Sequence, residues 1–167
     1  MKLRNRLPAC LLAFALLILA ACGAERSPPA GGNEVVEGLR GGTLVLGERN
    51  PLRLQVQIAD TPPAQARGLM GVEEMPDDYG LVFLWSSTGR HGFYMKNTLI
   101  PLDIAWWNDQ MRIVDIQTMQ PCEADPCPTY APAEDHLAAV EVNGGLLAER
   151  GIRVGDPVEF TASEGGV

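Results

Sequence analysis

The sequence predicts a mostly β fold, a compact β-barrel or sandwich with two short helices, and three observations point there. Strict alternation runs through Leu52-Arg53-Leu54-Gln55-Val56-Gln57-Ile58, apolar at even and polar at odd positions, the pattern of a half-buried strand. Further short apolar segments follow, separated by turn residues, for six to eight strands in all. Helical signals are confined to two short stretches, and most strand pairs have no crossover helix between them, which argues against a βαβ sheet. With 167 residues, 46% of them apolar, the chain suffices for one domain and is short for two.

In chain order, the strand at 52–58 is followed by Thr61-Pro62-Pro63, an N-cap with proline at the first helical position, and a short helix is expected to end at Gly68. Leu81 to Trp85 reads as a strand closed by a Ser-Ser-Thr-Gly turn, Phe93 to Met95 as extended, and Leu102 to Trp107 as a longer strand. Asn108-Asp109 marks a tight turn into Met111 through Met119, where Ile113, Val114 and Ile116 are β-branched. Leu137 to Val142 forms another strand. Asn143 is placed to cap a second helix ending near Arg150 and Gly151, and Asp156 to Phe160 returns as the last strand.

The amino end carries an address. Lys2, Arg4 and Arg6 precede an apolar run from Ala9 to Ala21 that is too short to span a bilayer, the organisation of a secretory signal. It ends in Leu19-Ala20-Ala21-Cys22, which resembles a bacterial lipobox, so residues 1–21 are expected to be removed and Cys22 to carry lipid. By resemblance to lipoprotein sorting, Gly23 after that cysteine favours the periplasmic face of the outer membrane. Residues 22–33, rich in glycine, alanine and proline, read as a tether; the domain is expected over 34–162, with 163–167 frayed.

Charge and cysteines narrow the partners. A net charge of −8, with scattered basic residues, supplies neither the phosphate neutralisation that nucleic acids need nor attraction to anionic lipid. Of four cysteines, Cys10 leaves with the signal and Cys22 takes lipid, so Cys122 and Cys127 remain. In an exported chain, their proline-stiffened loop reads as a structural disulfide. The spacing does not fit a thioredoxin-like redox pair, and His91 and His136 are too far apart in sequence for a zinc-finger pair, so neither a metal nor a cofactor is expected.

Arg67-Gly68-Leu69-Met70, Gly80-Leu81-Val82-Phe83, the run Phe93-Tyr94-Met95-Lys96-Asn97-Thr98-Leu99-Ile100-Pro101-Leu102-Asp103-Ile104, and Val140-Glu141-Val142 with Gly151 and Gly155-Asp156 together resemble the family named domain of unknown function 192. The resemblance covers about Leu44 to Phe160 and implies a compact, mostly β domain, often exported or lipid-anchored, with no assigned reaction. Tyr94 stands where that family usually has tryptophan, and Ala105-Trp106-Trp107 is bulkier than its usual strand end.

Candidate site residues follow from chemistry as much as from the resemblance. Lys96 is the one lysine after residue 21, and a compact ammonium retained among arginines suggests a need for a point charge. Asp103 lies on a strand whose even positions are apolar, so alternation sends it to the other face, open to water; if that face is covered it needs Lys96, Arg67 or a backbone donor. Glu141, between two valines, is expected to point outward. Arg67, Lys96, Asn97, Thr98, Asp103 and Glu141 could line a shallow anion- or sugar-binding cleft, with Trp85, Tyr94, Trp106 or Trp107 as its apolar wall. Each also has a structural task available: Arg67 on the last helical carbonyls, Asn97 and Thr98 in a turn, Asp103 in an ion pair.

No nucleophile elbow, phosphate loop or metalloprotease helix occurs in the sequence, and neither histidine has an obvious nucleophile partner. The expected function is therefore a lipid-anchored envelope domain that binds a small polar ligand or an envelope partner without catalysis. One rival is a hydrolase or lyase using Asp103 or Glu141 with Lys96, which for glycoside hydrolysis requires the two carboxyl groups to face each other across a cleft. The other is a structural interaction protein, with Trp106 and Trp107 exposed as an apolar patch.

Overall fold

The computed structural model describes residues 35–163. The signal, the lipobox with Cys22, the whole tether and residues 164–167 lie outside the described residues. Among those described, no helix is long and apolar enough to cross a membrane.

Among the described residues, nine strands and two short helices follow in the order β1 (Gly41–Leu46), β2 (Leu52–Ala59), α1 (Pro62–Arg67), β3 (Tyr79–Gly89), β4 (Phe93–Tyr94), β5 (Leu102–Trp107), β6 (Ile113–Met119), β7 (Thr129–Tyr130), β8 (His136–Asn143), α2 (Leu146–Glu149) and β9 (Val158–Ala162). The fold is mostly β, as the alternation at Leu52–Ile58 required. Seven strands form one mixed sheet in the order β6-β5-β8-β3-β2-β1-β9, and β4 pairs with β7 in a separate two-stranded ribbon. Every neighbouring pair in the large sheet is antiparallel except β2 with β3, where α1 lies in the connection between parallel strands.

The sheet coils until its two edge strands meet at one corner, where Ile113 N donates to Asp156 O and Val158 N to Met111 O, each at 3.0 Å. It does not close into a barrel and is sandwich-like. One core fills the concave side, from Leu44, Leu54, Val82 and Val140 to Trp107, capped by Leu146, Leu147 and Ile152 around α2. A second core covers the other face, with Leu81, Phe83, Ile104 and Trp106 under Leu69, Phe93 and Met95. Strands β5 and β8 lie between these layers, so all six residues of β5 are buried and both faces are dry.

Several sequence expectations change for that reason. Trp106 and Trp107 are fully buried in different cores, so they form no exposed patch. Asp103 faces the α2 side and is 2% exposed rather than open to water, and Glu141 is 6% exposed rather than outward-facing. β1 and β7 add strands the sequence did not announce: Gly41-Gly42 reads locally as a turn, and β7 is only two residues long. Thr61 caps α1 as expected, its Oγ1 accepting from Ala64 N at 3.4 Å.

Asn143, however, belongs to β8 and donates to Met75 O and Asp77 Oδ1. Gly145, at φ +88°, starts α2 with no side-chain cap of its own. The acceptor that α2 lacks locally comes from across the fold: Asp103 Oδ2 takes the Leu147 N–H at 3.0 Å while Oδ1 takes the Thr118 hydroxyl at 2.7 Å. A buried carboxylate and a buried helix start thus satisfy each other, which is the backbone donor that covering this face demanded.

Candidate functional site

Strand β3 sets Phe83 and Trp85, two residues apart, on the face away from α2, and β8 sets Glu141 on that face between Leu81 of β3 and Ile104 of β5. Above them pass the end of α1 and the segment leading into β4. Between these elements opens a cleft of about 400 Å³, lined by Arg67, Gly68, Thr98 and Glu141 and by the rings of Phe83, Trp85, Phe93 and Tyr94. Arg90 and His91 complete its rim.

The rings are arranged as a wall. Phe83 and Phe93 meet edge to face at 4.8 Å, Trp85 stands 6.1 Å from Phe93, and His91 stacks on Trp85 at 4.1 Å with planes 2° apart. Behind them His136 is completely buried 5.3 Å from His91, and Trp106 Nε1 has no hydrogen-bond partner among the described residues. Burial, reinforced by the neighbouring His91, lowers His136 to about 4, so its ring is neutral at physiological pH.

Glu141 is the unusual member. Its neighbours across the strands are Leu81 and Ile104, and among the described residues its carboxyl has neither a hydrogen-bond donor nor a cation. Burial without compensation raises it from the ordinary carboxylate range to about 8, so the cleft holds a protonated acid at neutral pH. Gly68 keeps the approach open. At φ +51°, ψ −136° it adopts a conformation reserved for glycine, and a Cβ there would lie 3.5 Å from Phe83 Cζ and 4.0 Å from Glu141 Oε2.

The seven expected ligand residues divide. Arg67, Tyr94, Thr98 and Glu141 line the cleft together. Lys96, Asn97 and Asp103 have other partners. Lys96 Nζ bonds Asp125 Oδ2 at 2.8 Å inside the loop closed by the Cys122–Cys127 disulfide, and that carboxylate raises the ammonium above its usual range. Asn97, at φ +57°, turns the chain so that its carbonyl accepts from Gly71 N. Asp103 braces α2 on the opposite face of the sheet from Glu141, because Glu141 pairs with Ile104 and Asp103 with Val142.

Phe83, Phe93, Gly68 and Arg90 were missed, although Phe83 and Trp85 at alternate positions of one strand are a readable sign of a shared face. Of the expected wall residues, Trp85 and Tyr94 are in place, whereas Trp106 and Trp107 are core. Among the described residues, no three His, Cys, Asp or Glu side chains gather as a metal would need.

Residues 44–160 match the family described as Uncharacterized ACR, domain of unknown function 192. A search of curated proteins finds no match. Similar solved structures include the following two. A protein of unknown function from Novosphingobium aromaticivorans DSM 12444 is 33% identical with a TM-score of 0.70, over 74% of this chain and 88% of that one. A proposed transcription regulator from Sinorhizobium meliloti 1021 is 26% identical with a TM-score of 0.67, over 73% of this chain and 95% of its own.

Proposed function

The chain belongs to the domain of unknown function 192 family, which carries no assigned activity, and from that premise and the cleft we propose that it is a lipid-anchored envelope domain that binds a small polar ligand without transforming it. The observation that carries the reading is Glu141: a carboxyl buried against aliphatic and aromatic side chains, with no partner in the described chain, at the base of an open cleft. Leaving such a group unsatisfied costs stability, and a fold that keeps it gains only when something else satisfies it.

The other arms of the reading rest on the sequence. The basic start, the short apolar run and the lipobox-like Leu19-Ala20-Ala21-Cys22 support export and acylation at Cys22. The carboxylate pair required by glycoside hydrolysis is undercut by geometry, since Asp103 and Glu141 lie on opposite faces of the sheet and Lys96 is committed to Asp125. The role named for the Sinorhizobium protein is not carried over, because a net charge of −8 offers DNA no counter-charge.

The test is native mass spectrometry of the full-length protein taken from its own envelope fraction. A bound small molecule is expected, absent from Glu141→Gln, and Cys22→Ser is expected to release the protein from membranes. Turnover of a glycan or ester that Glu141→Gln abolishes without loss of folding would replace binding by catalysis. Full-length protein in the cytosol, with residues 1–21 intact, would remove the anchor.

A further inference from the structure

A buried carboxyl with no donor becomes stable in one of three ways: it keeps its proton, it accepts hydrogen bonds as Asp103 does, or it meets a cation. Among the described residues, none supplies a cation to Glu141. Lys96 pairs with Asp125, Arg40 with Asp60 and Arg90 with Asp135, and Arg67 lies exposed at the end of α1. The space in front of Glu141 Oε2 is nevertheless held open by Gly68, and what borders it is aromatic: Phe83 beside the Gly68 position, with Phe93 edge to face against Phe83. An ammonium placed there gains an ion pair with a carboxyl that is itself buried, beside aromatic side chains. A neutral hydroxyl would gain one hydrogen bond and nothing from the missing counter-charge.

The rim carries the opposite sign. Arg67 and Arg90 both line this cleft in a chain with 21 acidic and 13 basic residues. Arg90 is held there by Asp135 through Nε at 3.1 Å, while Arg67 has no ion-pair partner among the described residues. A guanidinium at the mouth suits a carboxylate or a phosphate. Resting on the binding reading above, we infer that the ligand is a small zwitterion, its ammonium seated between Glu141 and the Phe83–Phe93 rings and its carboxylate or phosphate turned to Arg67. A cleft of about 400 Å³ accommodates a molecule of amino-acid size. Seating the ammonium leaves Glu141 as carboxylate, and its proton passes to solvent.

The experiment is isothermal titration of the full-length protein at pH 7 with free amino acids, phosphoethanolamine, ethanolamine, N-acetylated amino acids and glucose, each in two buffers of different protonation enthalpy. At least one zwitterion is expected to bind with release of close to one proton and to lose at least tenfold in affinity in Glu141→Gln, with N-acetylation abolishing binding. Amino acids against phosphoethanolamine decide between carboxylate and phosphate. Arg67→Ala, a surface change on a one-turn helix end, is expected to erase the preference for phosphoethanolamine over ethanolamine if phosphate is the anion, or for an amino acid over its amide if carboxylate is. Glucose binding in place of the zwitterions would overturn the inference and leave the cleft a binding site. Zwitterion binding untouched by Glu141→Gln, or no zwitterion binding at all, would overturn it as well. The binding reading itself fails if the envelope-derived protein also carries nothing, or if it turns over a glycan or ester through Glu141.

Discussion

Asp103 and Glu141 are both buried acids on adjacent strands, yet they differ in kind. Asp103 faces the α2 side, and each of its oxygens accepts a hydrogen bond, from Leu147 N and from Thr118 Oγ1. Glu141 faces the other way, with Leu81 and Ile104 as cross-strand neighbours and no partner among the described residues. Burial is nearly the same; satisfaction is opposite. Burial alone therefore does not mark a binding site, because a carboxylate that completes a helix start is as dry as one that waits for a ligand. What separates them is whether the chain supplies the donors.

That contrast is open to measurement, and the largest effect is expected at Asp103. Asp103→Ala leaves the Leu147 N–H buried without an acceptor, while the exposed Thr118 hydroxyl turns to water, a loss of about 2 kcal/mol in denaturant unfolding. Glu141→Ala removes no hydrogen bond and is expected to cost less. Equal losses at the two positions would erase the distinction.

Next in size is the pH dependence of Glu141. Folded, it keeps its proton to about 8, whereas unfolded it releases it near 4.5, so rising pH favours the unfolded chain throughout that window. His136 works the other way: neutral in the fold down to about 4 and protonated in the unfolded chain below 6.5, it withdraws stability as pH falls through that range. The two oppose each other between 4.5 and 6.5, which leaves Glu141 alone from 6.5 to 8. There the wild type is expected to lose about 1.4 kcal/mol per pH unit at most, and Glu141→Gln to stay flat, in urea titrations at successive pH values.

The smallest effect is expected at Lys96. Its pair with Asp125 is exposed and screened, so Lys96→Ala is expected to leave the melting temperature and the cleft's ligand binding unchanged. A loss of binding in that variant would return Lys96 to the site from which the fold separates it.

The Leu52–Ile58 alternation, the Thr61 cap and the closely spaced Cys122 and Cys127 were legible because each depends on neighbours in sequence. The cap at Asn143 was misread for the complementary reason: its amide is drawn to Met75 and Asp77, far away along the chain, and the acceptor for α2 comes from Asp103. Likewise, Arg67, Tyr94, Thr98 and Glu141 were named from residue chemistry, but nothing local separates them from Lys96 and Asn97, which sit in the same motif and face other partners.

By itself, then, the sequence determined the strand-rich character, the short helix at 62–67 and the set of polar groups available, since periodicity and capping act over a few residues. Only the tertiary structure decided that β5 is covered on both faces while Glu141 of β8 faces a cleft, and therefore which acid is satisfied and which is not. Alternation fixes the side to which a residue points; whether water, a helix or a cleft lies there is set by elements packed from elsewhere in the chain.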